Sequence, residues 1–252
     1  MFQGRSFLLV FCSLFCLLFS IVPAKAQEDA RTLLLSMAKK IAETPCFRVS
    51  LRIGYDVLQD NGQKIEFGEK RKILVQRPSS LRVEVLQSDG DKTGLVYDGE
   101  FLYQYDLSRN IYTKLKIPGD IDHLVQYARE MLDIRIPLAL LLTTHFHKDL
   151  REMTQEVFYV ERDVLTEVPT HHIAGRTDKV DYEVWIGDDN LPRRIIITYR
   201  LVYGEPQFWA NFEGWDLSPS IPSDAFRFQP SKGMEEVPFV LPVKKTKKPG
   251  QK

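Results

Sequence analysis

From Phe47 the chain alternates. Phe47, Val49, Leu51, Ile53, Tyr55 and Val57 interleave with Arg48, Ser50, Arg52, Gly54 and Asp56, the period of two that a strand with one covered face requires. Asp60, Asn61 and Gly62 come next. Asn and Gly tolerate positive φ, so this triplet predicts a tight hairpin turn into a returning strand from about Lys64 to Gln76. Residues 77–80 turn the chain again, and Leu81, Val83 and Val85 then alternate with Arg82 and Glu84. Short segments follow at 95–97, 101–105 (with Phe101, Tyr103 and Tyr105 on one face) and 111–115, separated by turns rich in Asp, Gly and Asn. Short strands at such regular spacing predict an antiparallel meander that closes into a sandwich or a barrel.

The period changes to that of a helix in two places. Leu33, Leu34, Met37, Ala38 and Ile41 recur at helical spacing over 30–44, with Asp29 placed to cap the start and Pro45 to stop it. Asp120 is placed to cap a second helix carrying Ile121, Leu124, Val125, Ala128, Met131 and Leu132. Pro137 opens a third, shorter apolar segment through Leu142, and residues 143–147 read as loop. Strands return at 157–162, 170–175, 180–187, 192–201 and 207–215. Ile195, Ile197, Tyr199 and Leu201 share one face, and Phe208, Ala210 and Phe212 share another. The expected fold class is therefore mainly β with inserted helices, in one domain.

The N-terminus changes the picture of where the chain works. Arg5 precedes an almost wholly apolar run from Phe7 to Val22, and Ala24-Lys25-Ala26 matches a small-x-small cleavage pattern. Residues 1–26 therefore read as a cleaved export signal. A retained anchor is disfavoured because the run stops at Pro23 and falls short of the roughly 20 residues a spanning helix needs. Cys12 follows Phe11 and Cys16 follows Phe15, where an acylated cysteine wants a small residue before it. The expected division is a signal at 1–26, one β domain at 27–240 and a basic, Pro- and Gly-containing tail at 241–252, read as disordered.

Removing Arg5 and Lys25 from the 34 basic and none of the 34 acidic side chains leaves a net charge of about −2. No basic face is evident, so nucleic acid is not an expected partner. Cys46 is the cysteine that remains after the signal, so no internal disulfide can form and burial must supply stability.

Candidate chemistry is sparse. His145 and His147 stand two apart and His171 and His172 are adjacent, but zinc needs three or four converging ligands. The chain has no H-E-x-x-H, C-x-x-C, G-x-S-x-G or phosphate-cradling glycine loop. The acid pairs Asp188-Asp189 and Glu235-Glu236 lie at turns or ends. Catalysis, metal and cofactor are accordingly not expected. What stands out is apolar: aromatics are frequent on the strands, and a curled sheet must cover its inner face with helices, with its own side chains or with a ligand.

In the C-terminal half, residues 171–174 (His-His-Ile-Ala), 180–186, 191–194 (Leu-Pro-Arg-Arg), 204–207, Trp215 and the ending 226–230 resemble a family of uncharacterised predicted periplasmic proteins. The order of parts over the mature chain is similar to the LolA, LolB and LppX-like lipoprotein carriers. That resemblance implies an incomplete antiparallel β-barrel around a cavity, with helices as a lid and an acyl chain of a lipid or lipoprotein as ligand. It carries over no catalytic residue. The basic tail departs from the compact end of those carriers. The lining expected from these readings is Ile195, Ile197, Tyr199, Phe208 and Phe212, with Tyr103 and Trp185 beside them. The protein is expected to be a periplasmic monomer with envelope membrane proteins as further candidate partners. The rival readings are a non-enzymatic envelope protein whose core is filled by itself, and an enzyme using the histidines.

Overall fold

The computed structural model describes residues 24–131, 137–165 and 167–239. Most of the expected export signal and the whole of the expected tail lie outside these residues. The alternation from Phe47 becomes β1 (Cys46–Leu58), paired without a break to β2 (Lys64–Gln76). Between them Gly62 has φ +83°, and the Asn61 side chain accepts from the Gln63 amide at 3.0 Å. β3 (Ser80–Gln87), β4 (Lys92–Tyr97), β5 (Phe101–Asp106) and β6 (Ile111–Lys116) continue the meander, each antiparallel to the one before. After three helical segments come β7 (Glu156–Asp163), β8 (Thr170–Arg176), β9 (Val180–Gly187), β10 (Pro192–Tyr199), β11 (Gln207–Asp216) and the two-residue β12 (Glu235–Glu236).

All of these strands form one sheet, in the order β12-β6-β5-β4-β3-β2-β1-β11-β10-β9-β8-β7. The two meanders join at the centre, where β1 pairs with β11. The sheet is open, with β12 at one edge and β7 at the other. Its one departure from an antiparallel pattern is β12, which pairs parallel to β6. Sequence reading missed this strand because residues 217–239 have no alternation. They return across the outer face and are held there by Phe228, whose ring lies 5.2 Å from Tyr103, 5.5 Å from Tyr105 and 5.2 Å from Tyr112.

The helices cover the other face. α1 (Ala24–Glu43) starts ahead of the expected position, so Asp29 lies inside it and is not its cap. Leu34, Met37, Ala38 and Ile41 share its buried stripe, and each large side chain there contributes about 1.5–3 kcal/mol. α2 (Ile121–Glu130) is capped as expected, with Asp120 Oδ1 accepting from the His123 amide at 2.8 Å. A 3-10 turn (Ala139–Leu142) follows, and then α3 (Phe146–Met153). Of the expected loop, residues 143–145 stay outside any helix, and α3 takes over from Phe146 because Phe146 and Leu150, one turn apart, both bury in the core. Among the described residues no helix is long and apolar enough to cross a membrane.

Arg77 ties these parts together. From the β2–β3 turn its guanidinium donates to Thr44 O at 3.1 Å, to Ile41 O at 3.4 Å and to Leu142 O, and it stands 6.0 Å from the Phe47 ring centroid. Helix ends leave carbonyls without intrahelical partners, and Arg77 supplies donors to the end of α1 and to the 3-10 turn together. Burial pulls its pKa down, against the pull of Asp122.

Three glycines sit directly opposite an aromatic residue: Gly54 opposite Trp209, Gly94 opposite Tyr105, and Gly175 opposite Tyr182. In each pair the ring folds over the glycine, into the space a Cβ would take. This arrangement fills the gap that a strand glycine leaves and helps pin the register.

Candidate ligand-binding face

The helix-bearing face is covered unevenly. On β1, Phe47, Val49, Leu51 and Ile53 are fully buried against the helices, Tyr55 is half-buried, and Val57 is 39% exposed. The same gradient runs along β2, from buried Val75 through half-buried Ile73 to Phe67 at 42% and Ile65 at 38% exposure. Register explains why it is shared. Tyr55 pairs with Phe67 and with Phe208, Phe208 with Ile197, and Ile197 with Tyr182. One row of large apolar side chains thus crosses five strands and ends in the open at β2. The Tyr55 and Phe67 rings stack with centroids 6.2 Å apart. Beyond the row, Leu201, Val202 and Tyr203 are exposed on the β10–β11 loop, which at Gly204 lies close to Leu58 of the β1–β2 hairpin.

A polar pair lies within this apolar wall. Glu69 and Arg71 follow Phe67 on the same face of β2 and meet at 2.5 Å, with side chains only 7% and 22% exposed. Removing one partner of a pair this buried strands a charge and costs about 3–5 kcal/mol. The pair separates the closed, helix-filled end of the face from its open end.

The expected lining residues divide accordingly. Ile195, Phe208 and Phe212 lie on this face but are buried by the chain's own side chains. Ile197 and Tyr199 lie on it and are half-buried, at the transition. Phe208, Ala210 and Phe212 share this face with Ile195, Ile197 and Tyr199, because Ile195 pairs with Ala210. Leu201 lies past the end of β10, in the loop.

Tyr103 and Trp185 require correction, since both point to the outer face. Tyr103 alternates with inward Leu102 and Gln104 and stacks on Phe228. Trp185 stacks on His172 at 4.0 Å and donates from Nε1 to Asp163 at 2.9 Å. Tyr55, Val57, Ile65 and Phe67 are the residues that sequence reading passed over. The signal was present, because the Asn61-Gly62 turn pairs Tyr55 with Phe67 and Val57 with Ile65.

The histidines do not converge. His172 bonds Glu183 at 2.9 Å on the outer face. His171 meets Tyr159 Oη at 3.2 Å and Asp188 Oδ1 at 3.2 Å, and His145 pairs with Asp149 at 3.2 Å. Among the described residues no group of three or more His, Cys, Asp or Glu could hold a metal ion. Asp188 accepts a forked pair of bonds from Arg162 at 2.6 and 2.7 Å. This guanidinium, with His171 adding to it, holds the carboxyl down at about 2. Burial, with Asp216 nearby, pushes the Cys46 thiol up, so it stays protonated. The motif residues of the second meander thus serve to tie strands. Arg193 binds Asp189 at 2.7 Å across the β9–β10 turn, and Trp215 donates to Pro192 O at 3.0 Å.

Residues 30–240 match the profile of a family described as predicted periplasmic protein, DUF2092. No protein of curated function matches the chain. Among solved structures, an uncharacterized conserved protein from Thermus thermophilus is similar at 10% identity and TM-score 0.47, over 82% of this chain and 98% of that one. A LolA superfamily protein from Nitrosomonas europaea is similar at 10% identity and TM-score 0.38, over 78% and 96% of the two chains. An outer membrane lipoprotein-sorting protein domain from Vibrio parahaemolyticus is similar at 7% identity and TM-score 0.35, over 80% and 97%.

Proposed function

The chain belongs to the DUF2092 family of predicted periplasmic proteins, and from that premise we propose that it is a non-catalytic carrier which holds the acyl chain of a lipid or lipoprotein against the open end of its helix-bearing face. In this reading residues 1–26 are a cleaved export signal, 27–240 are the carrier domain, and 241–252 are a soluble tail. The protein works in the periplasm as a monomer.

The observation that supports the reading is the burial gradient. An apolar wall that ordinary packing would close is closed over Phe47–Ile53, half-closed at Tyr55 and Tyr199, and left open over Val57, Ile65 and Phe67. Hiding one CH₂ from water yields about 0.8 kcal/mol. Ten methylenes would gain about 8 kcal/mol, from which the costs of association and ordering are subtracted. No reacting group is needed for this.

The test is uptake of a fluorescent fatty acid by delipidated protein, with native mass spectrometry of the purified form. Bound lipid is expected, with uptake weakened at least tenfold by Phe67→Asp and by Tyr199→Asp. Protein that neither retains nor takes up lipid, or uptake indifferent to both substitutions, overturns the reading. A second reading, an envelope interaction protein with a self-filled core, is favoured by the one buried cluster that Leu34, Met37 and Ile41 form with Phe47, Val49, Leu51 and Ile53. It gains if lipid uptake fails while the fold is intact.

A further inference from the structure

The outer face carries a separate cleft of about 670 Å³ between the first meander and the returning C-terminal segment. Its volume falls in the range of small-molecule sites, roughly 300–1,000 Å³. Five basic residues line it, Lys70, Lys72, Arg82, Lys92 and Arg227, against the two acids Glu84 and Asp224. Arg82 is bound to Glu84 at 3.1 Å. Lys70, Lys72, Lys92 and Arg227 make no ion pair among the described residues.

Register concentrates these charges. Lys70 faces Leu86, which faces Lys92, so two lysines flank one leucine across β2, β3 and β4. Lys72 shares the face of Lys70. Like charges so placed repel one another, and an anion seated among them relieves that repulsion. The apolar part of the lining is equally exposed: Leu86 at 41% and Leu107 at 51%, beside Phe228 and Met234.

The far wall is built without a ligand. Arg82 donates to Ala225 O at 2.9 Å. Phe228 is stacked on Tyr103 and Tyr105 and tilted against Tyr112, and the Glu235 and Val237 amides bond Asn110 O at 3.0 Å and Tyr112 O at 2.8 Å. Gly94 leaves room for Tyr105 to lie over β4 and wall the cleft from below.

We infer that this cleft is a binding site for an amphipathic anion: one phosphate or carboxylate group among Lys70, Lys72, Lys92 and Arg227, with its aliphatic portion on Leu86, Leu107 and Met234. The site lies on the opposite side of the sheet from the acyl-chain face and stands without it.

The test uses the intact ¹⁵N-labelled protein and three probes: n-decyl phosphate and decyl maltoside, both below their micelle concentrations, and inorganic phosphate. Decyl phosphate is expected to shift the amides of residues 84–93 and 224–234 saturably. Inorganic phosphate and decyl maltoside are expected to bind there at least tenfold more weakly. The triple variant Lys70→Gln, Lys72→Gln, Arg227→Gln, whose thermal melt should match the parent, is expected to bind decyl phosphate at least tenfold more weakly. Undiminished binding by that variant overturns the inference. So does inorganic phosphate or decyl maltoside matching decyl phosphate, since one half of the lining would then be idle. Shifts confined to Tyr55, Phe67 and Tyr199 overturn it too, while supporting the carrier reading, so the two proposals fail separately.

Discussion

Gly175→Ala should destabilise the protein because of where Tyr182 lies. A Cβ on Gly175 would stand 2.2 Å from Tyr182 Cζ and 2.4 Å from its hydroxyl, so the ring must move by more than an ångström. It has nowhere cheap to go. Tyr182 is buried in the core, and its hydroxyl is bonded to the Thr154 hydroxyl at 2.7 Å. Overpacking of this kind costs about 1–3 kcal/mol. Breaking the hydroxyl pair adds about 1 kcal/mol, and the entropic gain of replacing glycine within a strand returns about 0.5–1 kcal/mol. The net is about 1–3.5 kcal/mol, a fall in Tm of about 2–14 °C for a domain of this size. Gly54→Ala is the control. Its Cβ would meet Trp209 just as closely, at 2.4 Å, but Trp209 lies at the outer surface with its Nε1 on exposed Glu66 at 2.9 Å. That indole can swing into solvent, so the expected cost is under about 1 kcal/mol. Urea denaturation of both variants, and of Gly175→Ala with Tyr182→Leu, makes the comparison. In the Leu background the glycine substitution should cost about 1–2 kcal/mol less. Equal costs for the two alanine variants, or no coupling to Tyr182, would refute the claim that the buried ring sets the penalty.

Two further outcomes follow from the helix cover and the core. Arg77→Met keeps the aliphatic stem but strips the donors from Ile41 O, Thr44 O and Leu142 O; a loss of about 2–4 kcal/mol in urea denaturation is expected, and a loss under about 1 would mean water replaces the guanidinium freely. Tyr97, whose hydroxyl donates to Ile117 O at 2.9 Å, is pushed up by burial from 10.0 to about 12. A raised pKa means that the folded state keeps its proton longer, so this contribution is whole below pH 10 and is lost as pH rises toward 12. Stability measured across that window should fall less steeply in Tyr97→Phe than in the parent.

The strands of the first meander were legible because each is a local pattern. The alternation over Phe47–Val57 and the Asn61-Gly62 turn fix a hairpin with no help from the rest of the chain. Which face a residue occupies is legible only within a strand, and this is where Tyr103 and Trp185 were misplaced. Their size suggested a lining, but the outer face also has large partners: Phe228, distant in sequence from Tyr103, and His172, which stands directly opposite Trp185 on β8. The helix at Phe146–Met153 was hidden for another reason. At eight residues it carries two buried anchors, too few for periodicity to register. The open end of the inner face was partly visible, since Tyr55 and Val57 belong to the alternation. Their exposure was not, because it depends on where the helical cover of the sheet stops, which is set by tertiary packing. The outer cleft was invisible to sequence, since its two walls lie more than a hundred residues apart.

The strand made last among the described residues guards the edge of the first meander. β12 covers Ile111 and Tyr112 of β6 with a parallel pairing that forms only when residues 235–236 exist. At the far edge, β7 protects itself by local means. A bulge between Tyr159 and Glu161 and the charges of Glu161, Arg162 and Asp163 break up its template for annealing, although Phe158 and Val160 are exposed. The β7 margin therefore carries its protection within its own sequence, while the β6 margin stays open to pairing with a neighbouring nascent chain until residues 235–236 have been made.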